Sequence, residues 1–244
     1  MRTRIQEPRS ETKEKRKAKP RDFTVAKPRA ATAVRDDAAF PLAKATYALS
    51  VHDPRELPPP GAPEIAFAGR SNAGKSSAIN TLAGRRRLAF VSKTPGRTQL
   101  INFFTLGGGS YLVDLPGYGY ASAPHAVRDH WKHLVGTYIT ERTSLAAVVI
   151  VMDSRHPLTE LDLTLIEWLR AAQRPAHVLL TKADKLSKQA QQVTLGKVRR
   201  ELATLYPGAT VQLFSSLKRE GVEEAAGVLS RMVAGKNKAP PKGE

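Results

Sequence analysis

The stretch GRSNAGKS, residues 69–76, constrains this chain more than any other. It fits Gly-x-x-x-x-Gly-Lys-Ser/Thr, and it lies between an apolar run, EIAFAG (64–69), and an amphipathic one, KSSAINTLAG (75–84). Such a context predicts a strand, a glycine turn, and a helix whose first N–H groups face a bound anion, with Gly84 as the helix stop. The glycines let the backbone wrap phosphates closely. Lys75 brings positive charge to the β- and γ-phosphates, and the Ser76 hydroxyl is a hard oxygen suited to Mg²⁺. Gly69, Arg70, Ser71, Asn72, Ala73, Gly74, Lys75 and Ser76 are therefore expected to hold a nucleotide's phosphates.

From there the chain alternates short apolar runs with longer amphipathic ones. QLINFFTL (99–106) and SYLVDL (110–115), joined by GGG (107–109), predict a hairpin. HAVRDHWKHLVGTYITER (125–142) carries a helical apolar stripe, and LAAVVIVMD (145–153) reads as a central parallel strand covered on both faces. A helix over 159–172 opening on a capping-box pattern, a strand at HVLLT (177–181), a polar helix near 187–206, a strand at TVQLF (210–214) and a last helix from about 221 complete the series. The fold class is α/β: a mostly parallel six-stranded sheet with one antiparallel hairpin strand and helices on both faces. Ligands of such sheets bind outside the carboxyl ends of the strands, where the motifs lie.

TKAD (Thr181, Lys182, Ala183, Asp184) follows the strand at 177–181. A carboxylate at Asp184 can accept from guanine's N1–H and exocyclic amine, a donor pair adenine lacks, and the stem of Lys182 can lie along the base. DLPG (Asp114, Leu115, Pro116, Gly117) ends the second hairpin strand; Asp114 is expected in the Mg²⁺ shell and the Gly117 N–H at the γ-phosphate. TPGRT (94–98) precedes the first hairpin strand and places Thr98 to give the metal a second hydroxyl. Loss of the γ-phosphate would release both loops. SSLKREG (215–221) is expected to bring Ser215, Ser216 and Leu217 to the guanine oxygen.

The chain carries 39 Lys and Arg against 22 Asp and Glu, a formal charge of +17 that points to a polyanionic partner. Much of the excess sits in residues 1–40 and 236–244, which lack apolar periodicity and read as disordered tails flanking a domain over 41–235. There are no cysteines, which excludes disulfides, thiolate metal sites and cysteine nucleophiles. The first residues have no apolar signal-like stretch, and the longest apolar run is too short for a bilayer. A soluble, cytoplasmic monomer with no membrane partner is the expectation.

Together GRSNAGKSS, TPGRTQLINFF, DLPGYGYA, TKADK and SSLKREG resemble the EngB (YihA/YsxC) family of bacterial GTPases, relatives of the Era-like group, over roughly residues 40–235. The resemblance implies a P-loop GTPase fold and a Mg²⁺-dependent GTP- and GDP-binding protein. It also implies a part in large ribosomal subunit assembly and in normal cell division and septation. By residue it implies phosphates on Gly69–Ser76, metal on Ser76 and Thr98, nucleotide contacts from Gly96, Arg97, Thr98, Gln99 and Leu100, the γ-phosphate sensor at Asp114–Gly117 and the base on Thr181–Asp184. The basic N-terminal tail lies outside the family pattern.

Where many GTPases carry a glutamine that orients water, this chain has Tyr118, as the family does. Lys75 and Asp114 are candidates for supporting roles in catalysis rather than proton transfer. Asn72 has two readings: a K⁺ ligand together with the backbone of 85–97, replacing an arginine finger, or a stabiliser of the loop alone. A module that binds GTP and RNA without hydrolysis is the rival reading of the whole chain. Arg85, Arg86 and Arg87 read either as contacts to rRNA phosphates, alongside the tails, or as a solvated loop. His130 and His133 are expected to face solvent rather than hold a metal, and Trp131 and Trp168 to lie in the core.

Overall fold

A computed structural model of the chain describes residues 42–89, 100–106, 109–119 and 125–237. All of these fall within one compact unit, Val34–Glu244. The tail at 1–40, residues 90–97 of the 85–97 loop, the nucleotide-contact positions 96–99 and the segment 238–244 lie outside the described residues.

The strands are β1 (Thr46–Val51), β2 (Glu64–Gly69), β3 (Ile101–Leu106), β4 (Ser110–Asp114), β5 (Leu145–Asp153), β6 (Ala176–Thr181) and β7 (Thr210–Leu213). The α-helices among the described residues are α1 (Lys75–Leu82), α2 (His125–Glu141), α3 (Glu160–Ala171), α4 (Lys188–Leu205) and α5 (Val222–Asn237). They build one sheet in the order β1-β3-β4-β2-β5-β6-β7, in which β3 runs antiparallel to β1 and β4 and the remaining pairs are parallel.

The fold class is as expected from the sequence, with a seventh strand at the edge. β1 is mostly exposed and its pattern, TYALSV, has little apolar signal. Its place is set by pairing with β3, more than fifty residues on, from Thr46↔Thr105 to Val51↔Ile101. An edge strand faces solvent on one side, so local hydrophobicity does not announce it.

Period-two alternation splits the core between the two faces. Ile65, Phe67, Val149 and Val151 pack under α1 and α5 with Ile79 and Leu229. Ala66, Ala68, Val148, Ile150 and Met152 pack under α2, α3 and α4 with Leu134, Tyr138, Leu169 and Leu202. Thr159 caps α3 through a reciprocal capping box with Asp162, and Gly84, at φ +62°, ends the turn after α1.

Two expectations are corrected. Trp131 and Trp168 are half-buried, stacked on each other at 5.9 Å over the edge of the core rather than within it. His130 is half-buried, not solvent-facing: its ring stacks on His52 at 4.5 Å, while His133 is exposed. In each case helical periodicity gave the face, but the neighbour that covers it comes from a distant segment.

Candidate functional site

The carboxyl ends of β2, β4, β5 and β6 meet at one edge of the sheet, and the P-loop leaves β2 there. Gly69 is required by contact: a Cβ would lie 2.7 Å from the Val151 carbonyl oxygen on the adjacent β5. Gly74 has φ +100° and Asn72 φ +65°. The left-handed region is one that asparagine tolerates better than most residues, which explains why Asn72 is accommodated in this turn. A cleft of about 570 Å³ opens beside the loop, lined by Arg70, Ser71, Asn72, Gly74, Lys75 and Ser76 from the loop, Asp114, Leu115, Pro116 and Gly117 from the end of β4, and Lys182. Ala73 is buried beneath it. Leu100 also lines the cleft, as do Tyr47, Leu88, Asn102 and Phe104, which were not legible in the motifs.

Within the cleft the Lys75 ammonium is paired with the Asp114 carboxylate, and both side chains are nearly buried. Two opposite charges at a cleft wall hold each other until stronger partners arrive. Phosphate oxygens can take the lysine, and a hard divalent cation can take the carboxylate. Ser76 and Asp114 line the same cavity and are both hard oxygen donors, so the chemistry of the donor set fits Mg²⁺. Among the described residues no group of three or more His, Cys, Asp and Glu is placed to hold a metal ion. Thr98 lies outside the described residues.

The base motif is tied to the phosphate loop. The Thr181 hydroxyl reaches the Ala73 carbonyl and lies 2.9 Å from that of Met152. Lys182, at φ +56°, donates from Nζ to the Asn72 carbonyl at 2.6 Å. The same ammonium lies 3.0 Å from Asp153 Oδ2 at the end of β5. Asp153 is gripped in turn by Arg155, Nε to Oδ1 at 2.9 Å and Nη2 to Oδ2 at 2.7 Å. Burial alone would raise the Asp153 pKa, but the hydrogen bonds from Arg155 and Lys182 win and hold it well below the usual carboxylate range. Asp153 and Arg155 were missed as site residues; the only sequence signal was a strand ending in a charge at the ligand edge.

Beyond the carboxyl end of β6, Asp184 accepts from Ser215 Oγ at 2.6 Å, and that oxygen accepts from the Lys218 N–H at 3.1 Å. Ser215 is fully buried, so it orients the carboxylate. Ser216 is half-buried and Leu217 exposed on the same loop. Ala183 is buried, with its N–H on the Phe214 carbonyl at 3.2 Å.

The Tyr118 side chain is turned towards α2 and α3. It is 4% exposed, and its phenol donates to Asp162 Oδ1 at 2.7 Å. Burial, followed by the Asp162 carboxylate, pushes its pKa well above the usual phenol range, so it stays protonated. Its backbone continues the β2–β4 pairing onto the P-loop, with Ser71 N–H to Tyr118 O at 2.8 Å. Tyr118 therefore anchors the DLPG loop, through its side chain to α3 and through its backbone to the P-loop.

A family model described as 50S ribosome-binding GTPase matches residues 64–182, the span from β2 to the base lysine. A protein of Methylobacillus flagellatus named probable GTP-binding protein EngB is 57% identical over 187 residues, covering 77% of this chain and 90% of its own. A namesake in Aromatoleum aromaticum is 60% identical over 180 residues, 74% of this chain and 83% of its own. Among solved structures, a probable GTP-binding protein EngB aligns with TM-score 0.55 at 20% identity over 70% of this chain and 99% of that one. Aquifex aeolicus Era bound to GDP and aluminium fluoride aligns with TM-score 0.56 at 16% identity, covering 74% and 57%. The two structures speak to the fold alone. A phosphate loop locked to a guanine-selective carboxylate motif, together with relatives this similar over most of their length, places the chain in the EngB family of GTP-binding proteins, a family of P-loop GTPases.

Proposed function

We propose that this protein hydrolyses GTP slowly on its own and faster on the precursor of the large ribosomal subunit, acting as an assembly switch in the cytoplasm whose loss disturbs cell division and septation. The observation that carries this reading is the match of residues 64–182 to a 50S ribosome-binding GTPase family, in a chain of charge +17. Arg85, Arg86 and Arg87 are exposed next to the cleft and offer phosphate contacts. Asn80 holds this segment by accepting from the Leu88 and Ala89 N–H groups, both at 2.8 Å. The basic tails add salt-sensitive affinity for rRNA, and the protein acts as a monomer without a membrane partner.

In this mechanism Lys75 leaves Asp114 for the β- and γ-phosphates, and Asp114 turns to the metal shell. Ser76 and Thr98 would hold Mg²⁺, which would neutralise charge on the phosphate oxygens. Gly117 offers its N–H to the γ-phosphate, and Asp184, oriented by Ser215, selects guanine. The Tyr118 phenol is committed to Asp162; Asn72 and the backbone of 85–97 would hold K⁺, which would supply positive charge at the scissile phosphate.

The same commitment favours a second reading, a GTP-dependent RNA-binding module without turnover. GTP hydrolysis measured in K⁺ and in Na⁺, with and without large subunits, separates the two. Stimulation by subunits and K⁺ together is expected. Tight GTP binding with no turnover in any condition selects the module.

A further inference from the structure

The γ-phosphate sensor is one peptide unit, the Pro116 carbonyl joined to the Gly117 N–H. A trans peptide is planar, so its C=O and N–H point in opposite directions, and fixing one aims the other. The structure fixes the carbonyl: the Trp131 indole Nε1–H on α2 donates to Pro116 O at 2.8 Å. On its other side Gly117 is pressed to the P-loop, where an added Cβ would lie 3.1 Å from Ser71 Oγ and 3.6 Å from Gly69 O. The indole is itself held. Tyr118 meets it edge-on at 5.6 Å, Trp168 stacks on it at 5.9 Å, and Tyr118 is locked by Asp162.

We propose that Trp131 is the positioning residue of the γ-phosphate sensor: by holding the Pro116 carbonyl on the α2 side, it presents the Gly117 N–H to the γ-phosphate, and so sets the preference for GTP over GDP. The inference rests on the reading of Asp114–Gly117 as that sensor. A residue that served packing alone would affect both nucleotides equally. A residue that aims a donor seen only by the γ-phosphate affects GTP alone.

The test uses the full chain with Mg²⁺ and compares affinities for GDP and for a non-hydrolysable GTP analogue. Trp131→Phe keeps an aromatic ring against Tyr118 and removes the donor. It is expected to weaken the GTP analogue about tenfold, the worth of one well-placed hydrogen bond, with GDP affinity held within about twofold. Replacing Trp131 by benzothienylalanine, which puts sulfur where the N–H was in the same shape, is expected to do the same with a fall in melting temperature of no more than about 4 °C. Equal losses for both nucleotides, or no loss for either, overturn the proposal. Gly117→Ala serves as the independent check on the sensor. If Gly117→Ala changes the ratio of the two affinities and the Trp131 variants do not, the positioning role falls while the sensor stands. If Gly117→Ala leaves the ratio unchanged, the sensor reading falls and the proposal with it.

Discussion

At the amino end of β2 the Glu64 carboxylate is buried among side-chain donors. Arg142 reaches it from Nε at 3.0 Å and from Nη2 at 2.5 Å, Ser144 Oγ at 2.8 Å and Tyr138 OH at 2.7 Å. At the opposite edge, Asp114 ends the neighbouring β4 almost as deeply buried, but it is paired with Lys75 at the wall of an open cleft. Both carboxylates have lost their water. Glu64 is saturated and static; Asp114 is held by one partner that phosphate can take away. The difference teaches how one sheet can be rigid at one rim and exchangeable at the other. A buried ion pair is costly to break by half, so it serves where nothing should move, and a pair that meets a ligand can be opened by that ligand.

The largest effect should come from breaking the static rim. Arg142→Met leaves Glu64 buried without its guanidinium and is expected to cost about 3–5 kcal/mol of stability. Thermal or urea unfolding reads this, while GDP affinity of the folded protein should stay within about twofold. A parallel collapse of GDP affinity would break the separation of the two rims.

The amino end also holds His177, whose ring lies between Thr210 Oγ1 at 2.7 Å and Gln212 Oε1 at 2.9 Å. Burial first, and the Arg231 charge in addition, lower its pKa from 6.5 to about 4, although the Gln212 hydrogen bond pulls the other way. The folded pKa is below the unfolded one, so this contribution is complete above about pH 6.5 and is lost as pH falls towards 4. It amounts to about 3 kcal/mol. Urea titrations at pH 7 and pH 4.5 should show the loss, and His177→Gln should flatten that part of the profile.

At the exchangeable rim the effects are smaller and fall on the nucleotide. Tyr118→Phe removes the donor to Asp162 Oδ1, whose other oxygen keeps the Thr159 N–H at 2.9 Å. A stability loss of about 1–2 kcal/mol is expected, with any GTP turnover retained within about threefold, since the phenol is committed to Asp162 on α3. Abolished turnover with normal GTP affinity would return Tyr118 to the chemistry. Asp153→Asn weakens the hold on Lys182, and about a fivefold loss of GDP affinity is expected, roughly 1 kcal/mol.

Much of the site was legible because its parts are local. A phosphate loop needs small residues at Gly69 and Gly74, followed by a lysine and a hydroxyl at consecutive positions, and those demands are met by neighbours in the chain. The base motif is equally compact, and the alternation of apolar runs was enough to set the fold class. The edge strand Thr46–Val51 was not legible because its stability comes from pairing with β3 and not from its own pattern.

By itself, then, the sequence determined that this chain binds a guanine nucleotide on an α/β sheet, since those requirements are written in short stretches of backbone geometry and donor chemistry. Tertiary structure alone decided which side chains hold the motifs in place. Lys182 meets the Asn72 carbonyl across 110 positions, Tyr118 meets Asp162 across 44 and Ser215 meets Asp184 across 31. Such meetings depend on strand register and on how helices settle over the sheet, and neither is visible in residue types along the chain. Tyr118 shows the difference: the motif said only that it stands where many GTPases carry glutamine, and packing against α3 made it an anchor.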